Sequence, residues 1–320
     1  VYDPAYMEQV RLLLQCMPAV ATCDCFALKG GSGINLFLRD MPRVSVDIDL
    51  TYLPLQPRAA SLNGIEEALK RIKSRIEEDL DDIVVNPSVI QGHVAKLTVM
   101  SPTAQIKIEP NLTLRGAVGQ PAYRDLCVAA QEQFGFFVTT AVVSVPDMYG
   151  GKLCAALDRQ HPRDLFDVKV LLDDTGITAE IRRAFVVYLG GHNRPMHELL
   201  APNAQDISSL YGSEFAGMTD APPPVEELEE VQSILPTMLL RGFTAEERQF
   251  LLSMKSGDPD WHVLDSKDWR TCRRCGGSSS TSARWMPANV TSSSRLSRNC
   301  SGSSCRTVME APGGRTEPRF

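Results

Sequence analysis

The sequence predicts an α+β protein: a domain of strands and helices over residues 1–145, then a mostly helical domain over residues 146–264. Three patterns carry that expectation. From Val44 to Leu50 apolar and polar residues alternate strictly, the mark of a half-buried strand. Ile65, Ala68, Leu69, Ile72, Ile76 and Leu80 recur at helical spacing, with Lys, Arg and Glu between them. From Thr178 to Leu252 the pattern is helical, broken by Asn193-Arg194-Pro195 and by a Pro222-Pro223-Pro224 linker.

The remaining elements follow in order. Tyr6 to Met17 has helical spacing and is expected to stop near Pro18. Cys25 to Leu28 is a short strand, followed by Lys29-Gly30-Gly31-Ser32-Gly33 and a helix from Ile34 to Leu38. Val94 to Met100 and Ile106 to Ile108 are strands around a Ser101-Pro102 turn. Phe136 to Val145 is apolar and β-branched. Pro146-Asp147 opens a helix to about Arg159, His161-Pro162 breaks it, and Arg163 to Leu172 forms the next.

Composition narrows the function classes. The chain has 320 residues and a net charge of −6, so no global field draws it to nucleic acid or to a membrane surface. An RNA partner would need a local basic surface, for which Arg39, Arg43, Arg58, Lys70, Arg71, Lys73 and Arg75 are candidates. No run of about 18 apolar residues exists, so no membrane span is expected. The opening segment lacks the basic and continuous apolar regions of a secretory signal, and the missing initiator Met points to a few residues upstream. Cys16, Cys23, Cys25, Cys127 and Cys154 are scattered through globular sequence, as reduced thiols of a cytoplasmic protein would be.

Asp47 and Asp49 are two apart on a strand, so they share a face with Cα atoms roughly 7 Å apart. Two carboxylates so placed can hold Mg²⁺ against a triphosphate. Taken alone, the pair would equally suit the solvated face of an edge strand. Gly31 and Ser32 upstream change the balance, because a glycine turn at a helix start brings backbone N–H groups close to phosphate oxygens. Glu109, alternating with buried Ile108, fits a third metal-ligating acid, and Lys107 would share its face.

Gly-Ser, a short spacer and Asp-x-Asp together resemble the polymerase-β-like nucleotidyltransferases. That resemblance implies a mixed sheet with flanking helices, with the turn over the triphosphate and the acids on the metal. A closer resemblance rests on Phe26-Ala27-Leu28-Lys29-Gly30-Gly31-Ser32, on Arg43 to Leu50, on Lys152 through Arg159, and on Arg163-Asp164-Leu165-Phe166-Asp167. These are similar to the AbiEii/AbiGii nucleotidyltransferase toxin family, which includes the MenT-type toxins, over about Tyr6 to Trp261. The resemblance implies that Ser45, Asp47, Asp49, Lys152 and Asp167 are catalytic. It places Lys152 on the nucleoside triphosphate, with Arg159, Arg163 and Asp164 completing the motif. Lys107 joins Gly31, Ser32, Lys152, Arg159 and Arg163 as candidates for nucleotide contact. A toxin of this kind implies a cognate antitoxin, a role in phage defence, and an RNA acceptor, the tRNA 3′ end. The competing expectations are the same fold acting on a small molecule or a protein hydroxyl, and an inactive remnant that only binds nucleotide or antitoxin.

Residues 265–320 are rich in Ser, Gly, Arg and Cys, and disorder is expected there. Cys272-x-x-Cys275 and Cys300-x4-Cys305 have partial zinc-ribbon spacing but little apolar sequence to fold around a metal. A frameshift between Trp261 and Cys272 explains the composition better.

Overall fold

The computed structural model describes residues 1–264, so the expectations for the tail (disorder, a zinc ribbon, a frameshift) lie outside the described residues. Helix α1 (Pro4–Ala21) starts at Asp3, whose carboxylate accepts the Ala5 N–H at 2.8 Å. It does not stop at Pro18. One lost helical N–H bond is offset by the burial of Met17, Ala19 and Val20 around that position.

Strand β1 (Phe26–Lys29) runs into α2 (Gly30–Ser32), which continues as a π-helical turn, Gly33–Leu38. Strand β2 spans Asp47–Tyr52. It begins three residues later than alternation suggested, because the Val44 N–H bonds the Met218 carbonyl at 2.7 Å instead of a strand neighbour. Helix α3 (Arg58–Asp79) buries Ile65, Ala68, Leu69, Ile72 and Ile76, the expected apolar face. Then come β3 (Val84–Ile90), β4 (His93–Met100), β5 (Gln105–Pro110), β6 (Ala122–Asp125), α4 (Val128–Phe134) and β7 (Thr139–Val142).

The seven strands form one mixed sheet in the order β3-β4-β5-β2-β1-β7-β6. The β2–β5 and β1–β7 pairs are parallel and the others antiparallel. Both edge strands escaped the sequence reading. β3 carries Pro87 and is exposed apart from Val85, and β6 is four mostly exposed residues, so neither alternates. On one face Ile48, Leu50, Tyr52, Ile106 and Ile108 are buried, and α1 and α3 pack there. The pleat therefore turns Asp47 and Asp49 to the other face.

Above that other face lie α5 (Val145–Arg159) and α6 (Pro162–Asp174). They are followed by α7 (Ala179–Gly190), α8 (Met196–Leu200), α9 (Ser208–Glu214), α10 (Val225–Gly242) and α11 (Ala245–Lys255). α5 and α7 cross closely at Gly150, where a Cβ would meet the Phe185 amide nitrogen at 2.8 Å. One continuous hydrophobic cluster joins α1, the sheet and the later helices. Among the described residues no helix is long and apolar enough to cross a membrane.

Candidate active site

The two aspartates stand at the start of the central strand. Across the ladders, Asp49 lies opposite Lys29 of β1 and Glu109 of β5, and Asp47 lies opposite Lys107 of β5. Gly30 takes φ +70°, and a Cβ there would stand 2.1 Å from the Asp49 Oδ2. Only a glycine lets the turn press against that carboxylate. Burial raises the Asp47 carboxyl pKa, helped by the charges of Asp49 and Glu109 and opposed by Lys107 and Arg163. Burial pushes the Lys29 ammonium down, and Asp49 opposes that shift.

Ser32 and Ser45 hold the turn to the strand. The Ser32 hydroxyl donates to the Asp47 carbonyl at 2.5 Å and lies 3.1 Å from the Ser45 Oγ. One hydroxyl proton cannot serve both, so Ser45 donates to Ser32. Ser32 is fully buried and Gly31 nearly touches Ser45, where a Cβ would be 2.6 Å from its Oγ. Of the expected Gly-Ser cradle, it is Gly30 that faces the acids, because the helix begins there and turns Ser32 inward.

Behind the turn is a buried charge network. Arg43 binds Asp167 bidentately, Nε to Oδ1 at 2.8 Å and Nη2 to Oδ2 at 2.6 Å, with both side chains at most 2% exposed. Lys152 Nζ reaches Asp164 at 2.9 Å and Asp167 at 2.8 Å. Arg159, itself 62% exposed, closes on Asp164 at 2.8 Å. Asn35 donates to Asp167 at 3.1 Å and to the Gly31 carbonyl at 2.9 Å, which ties the network to the turn. Burial would raise both aspartate pKa values, but the neighbouring cations win and hold them well below the usual carboxylate range. Burial disfavours the Lys152 ammonium too, and its two carboxylates more than compensate. Three cations face two carboxylates here, which leaves one surplus positive charge near Lys29.

On the opposite flank of Asp47 an open cleft of about 260 Å³ runs between α1 and α6. Its walls include Tyr6, Gln9, Gln105, Lys107 and Arg163. Gln9 Nε2 donates to the Gln105 carbonyl at 2.9 Å and joins α1 to the edge of the site.

The predicted residues therefore fall into three groups. Asp47, Asp49, Glu109 and Lys107 share the open face of β2 and β5. Ser45, Gly31, Ser32, Lys152 and Asp167 lie beneath it, buried. Arg159 and Arg163 stand at the rim, with Arg163 on the cleft. Hard oxygen donors this crowded suit Mg²⁺. Among the described residues no group of three such ligands is closed, since Glu109 turns to Lys96 at 2.6 Å and so relieves the repulsion of adjacent carboxylates.

The expected basic surface survives only at Arg58, whose guanidinium is on the Leu112 carbonyl and Gln91, and at Arg71, while Arg39 pairs with Asp174. Arg43 is buried, and Lys70, Lys73 and Arg75 are each paired with an acid four residues away on α3. Sequence reasoning gave no site role to Lys29, Asn35 or Tyr6, and it offered Arg43 as a surface residue where the structure buries it against Asp167. Lys29, the last strand residue before Gly30, and Arg43, at the head of the Arg43 to Leu50 block, did stand in the motifs.

A turn pressed on an Asp-x-Asp strand at the centre of a mixed sheet, with helices carrying Lys and Arg-Asp-x-x-Asp above it, defines a nucleotidyltransferase. The chain matches, over residues 11–273, the family described as nucleotidyl transferase AbiEii toxin, type IV TA system, and it belongs to that family. Among solved structures eight chains match. One is the nucleotidyltransferase toxin MenT4 from Mycobacterium tuberculosis H37Rv, at 16% identity and a TM-score of 0.54, covering 84% of this chain and 92% of that one. That likeness is one of fold. No curated protein matches by sequence.

Proposed function

We propose that the chain transfers a nucleotide from a nucleoside triphosphate to a hydroxyl of an RNA acceptor, the tRNA 3′ end, in a Mg²⁺-dependent reaction. The observation that carries this reading is the pairing of Asp47 and Asp49 on one face with Gly30 closed over Asp49. Asp47, Asp49 and, on release from Lys96, Glu109 would hold the metal, which neutralises charge on the phosphates when bound. Lys29 and the Gly30–Gly31 backbone bind the triphosphate, and the surplus charge of the Arg43–Lys152–Arg159 network lies behind them. The acceptor oxygen bonds to the α-phosphorus as the bond to the bridging oxygen breaks, and pyrophosphate leaves. The hydroxyl proton passes to water or to the Asp47 carboxylate on the cleft wall. Positioning and charge neutralisation supply the rate.

In this reading Ser45, Lys152 and Asp167 shape the site from beneath, residues 1–145 supply the sheet and its acids, and residues 146–264 supply the helices. The protein works in the cytoplasm beside a cognate antitoxin and serves in phage defence. A second reading, a small-molecule or protein hydroxyl as acceptor, is favoured by the pairing of Lys70, Lys73 and Arg75 with acids on α3, which narrows any phosphate track there.

The test incubates purified protein with Mg²⁺, total RNA and each α-labelled nucleoside triphosphate in turn. Label is expected in tRNA-sized RNA and absent with Asp47→Ala. Label on protein or on a small molecule would move the acceptor to the second reading. No transfer by folded protein would sink both.

A further inference from the structure

We propose that the cleft beside Asp47 seats the 3′-terminal nucleoside of a single-stranded polynucleotide acceptor, with Tyr6 against the base and Lys107 and Arg163 against its phosphate. This rests on the nucleotidyl-transfer reading above and assigns the side from which the acceptor enters.

The argument begins with the reaction's direction. In-line displacement puts the attacking and leaving oxygens on opposite sides of the α-phosphorus. The two flanks of β2 differ accordingly. On the β1 flank Lys29 lies opposite Asp49, and the Gly30 turn presses on the same carboxylate. Positive charge and close backbone there suit the departing pyrophosphate. On the β5 flank Lys107 lies opposite Asp47, and the surface opens into the cleft. If pyrophosphate leaves toward β1, the attacking hydroxyl comes from the cleft.

The cleft is built for that guest. Tyr6 is half-buried on α1 and offers a ring to a base, a contact indifferent to sequence because every base has a flat apolar face. Lys107 makes no ion pair among the described residues. Arg163 is 31% exposed and only loosely engaged, at 3.7 Å from Glu214. Glu214, also on the wall, is the one acid there besides Asp47, and it is turned to the His161 Nε2, which lies 3.2 Å from its carboxylate. The Gln9 side chain, which donates to the Gln105 carbonyl at 2.9 Å, lines the same cleft. On α3, the other candidate RNA surface, Lys70, Lys73 and Arg75 are each paired with an acid, so more of the recognition of the acceptor falls to local contacts at its end.

The test uses the whole protein, labelled nucleoside triphosphate and a short single-stranded RNA with a free 3′-hydroxyl, varying each substrate in turn. Tyr6→Ala and Lys107→Gln are each expected to raise the RNA KM by about tenfold or more, the size of a lost stacking or phosphate contact. The nucleotide KM and the nucleotide Kd should stay within about twofold of the parent. Tyr6→Phe, which keeps the ring, should restore the RNA KM. A rise in nucleotide KM with the RNA KM unchanged would place the donor in the cleft and overturn the proposal, as would failure of Tyr6→Phe to rescue. Unchanged nucleotide Kd certifies the fold of each variant, and Lys107→Gln carries the test if Tyr6→Ala does not fold. If the parent protein labels no RNA at all, the transfer reading has failed before the cleft is in question.

Discussion

Two regions of this site use the same residue types to opposite ends. In the buried network every aspartate oxygen has a cation or amide on it: Asp167 takes Arg43, Asn35 and Lys152, and Asp164 takes Lys152 and Arg159. On the open face of β2 and β5, carboxylates stand beside carboxylates, and burial with mutual repulsion raises the Asp47 pKa. A satisfied buried charge is a structural part, because removing one partner strands the other without water. A crowded, unsatisfied one is a binding site waiting for positive charge. Position in the family's motif does not separate these two roles, but their surroundings do.

Paired substitutions test the contrast most directly. Asp47→Asn should cut transfer by about a thousandfold or more, a loss of ~4 kcal/mol of transition-state stabilisation, with thermal stability unchanged or slightly raised. Asp167→Asn should instead destabilise the fold by about 3–5 kcal/mol in denaturant unfolding, because Arg43 and Lys152 keep their charge in the interior. If Asp167→Asn were as stable as the parent, the division between the two regions would be wrong.

Gly30→Ala sits on the seam between them. Its Cβ would collide with Asp49 at a left-handed backbone position, so we expect about 1–3 kcal/mol of lost stability together with loss of transfer.

Acid titration of folding separates the regions by sign. Asp164 and Asp167 have folded pKa values depressed below the unfolded value of about 3.9. Their stabilisation is therefore complete above that value and is lost as the pH falls toward the folded pKa values. Asp47 has a raised folded pKa, so its ionisation costs stability as the pH rises above about 3.9. Asp167→Asn should flatten the acid limb of the stability curve, and Asp47→Asn should leave that limb in place.

The smallest effect is expected at Arg75→Ala, which removes an exposed i, i+4 pair with Asp79 on α3. Stability should change by about 0.5 kcal/mol or less, and the RNA KM should not move. A large rise in RNA KM there would return α3 to the acceptor surface.

Much of this was legible in the residues. The alternation from Val44 to Leu50 placed the acids on one strand face, and the spacing from Ile65 to Ile76 gave the buried stripe of α3. The Lys152 and Arg163–Asp167 blocks carried the family. What failed did so for identifiable causes. β3 and β6 are edge strands with little buried face, so no alternation marks them. Pro18 looked like a stop because local propensity cannot count the contacts that Met17, Ala19 and Val20 make at long range. The arginines and lysines near α3 looked like a basic surface because a list of cations does not show which have acids one helical turn away, or which, like Arg43, lie inside.

By itself, then, the sequence determined the class of fold, the strand that bears the acids and the turn before it. Those depend on periodicity and on glycine chemistry, which act over a few residues. Only the tertiary structure decided which charges are spent on one another and which stand on the open face. Arg43 meets Asp167 across 124 positions of chain, and Lys29, Asp49 and Glu109 meet because β1, β2 and β5 lie side by side in the sheet. Whether a carboxylate serves structure or chemistry depends on its partners and its distance from water, and both are set by residues far away in sequence.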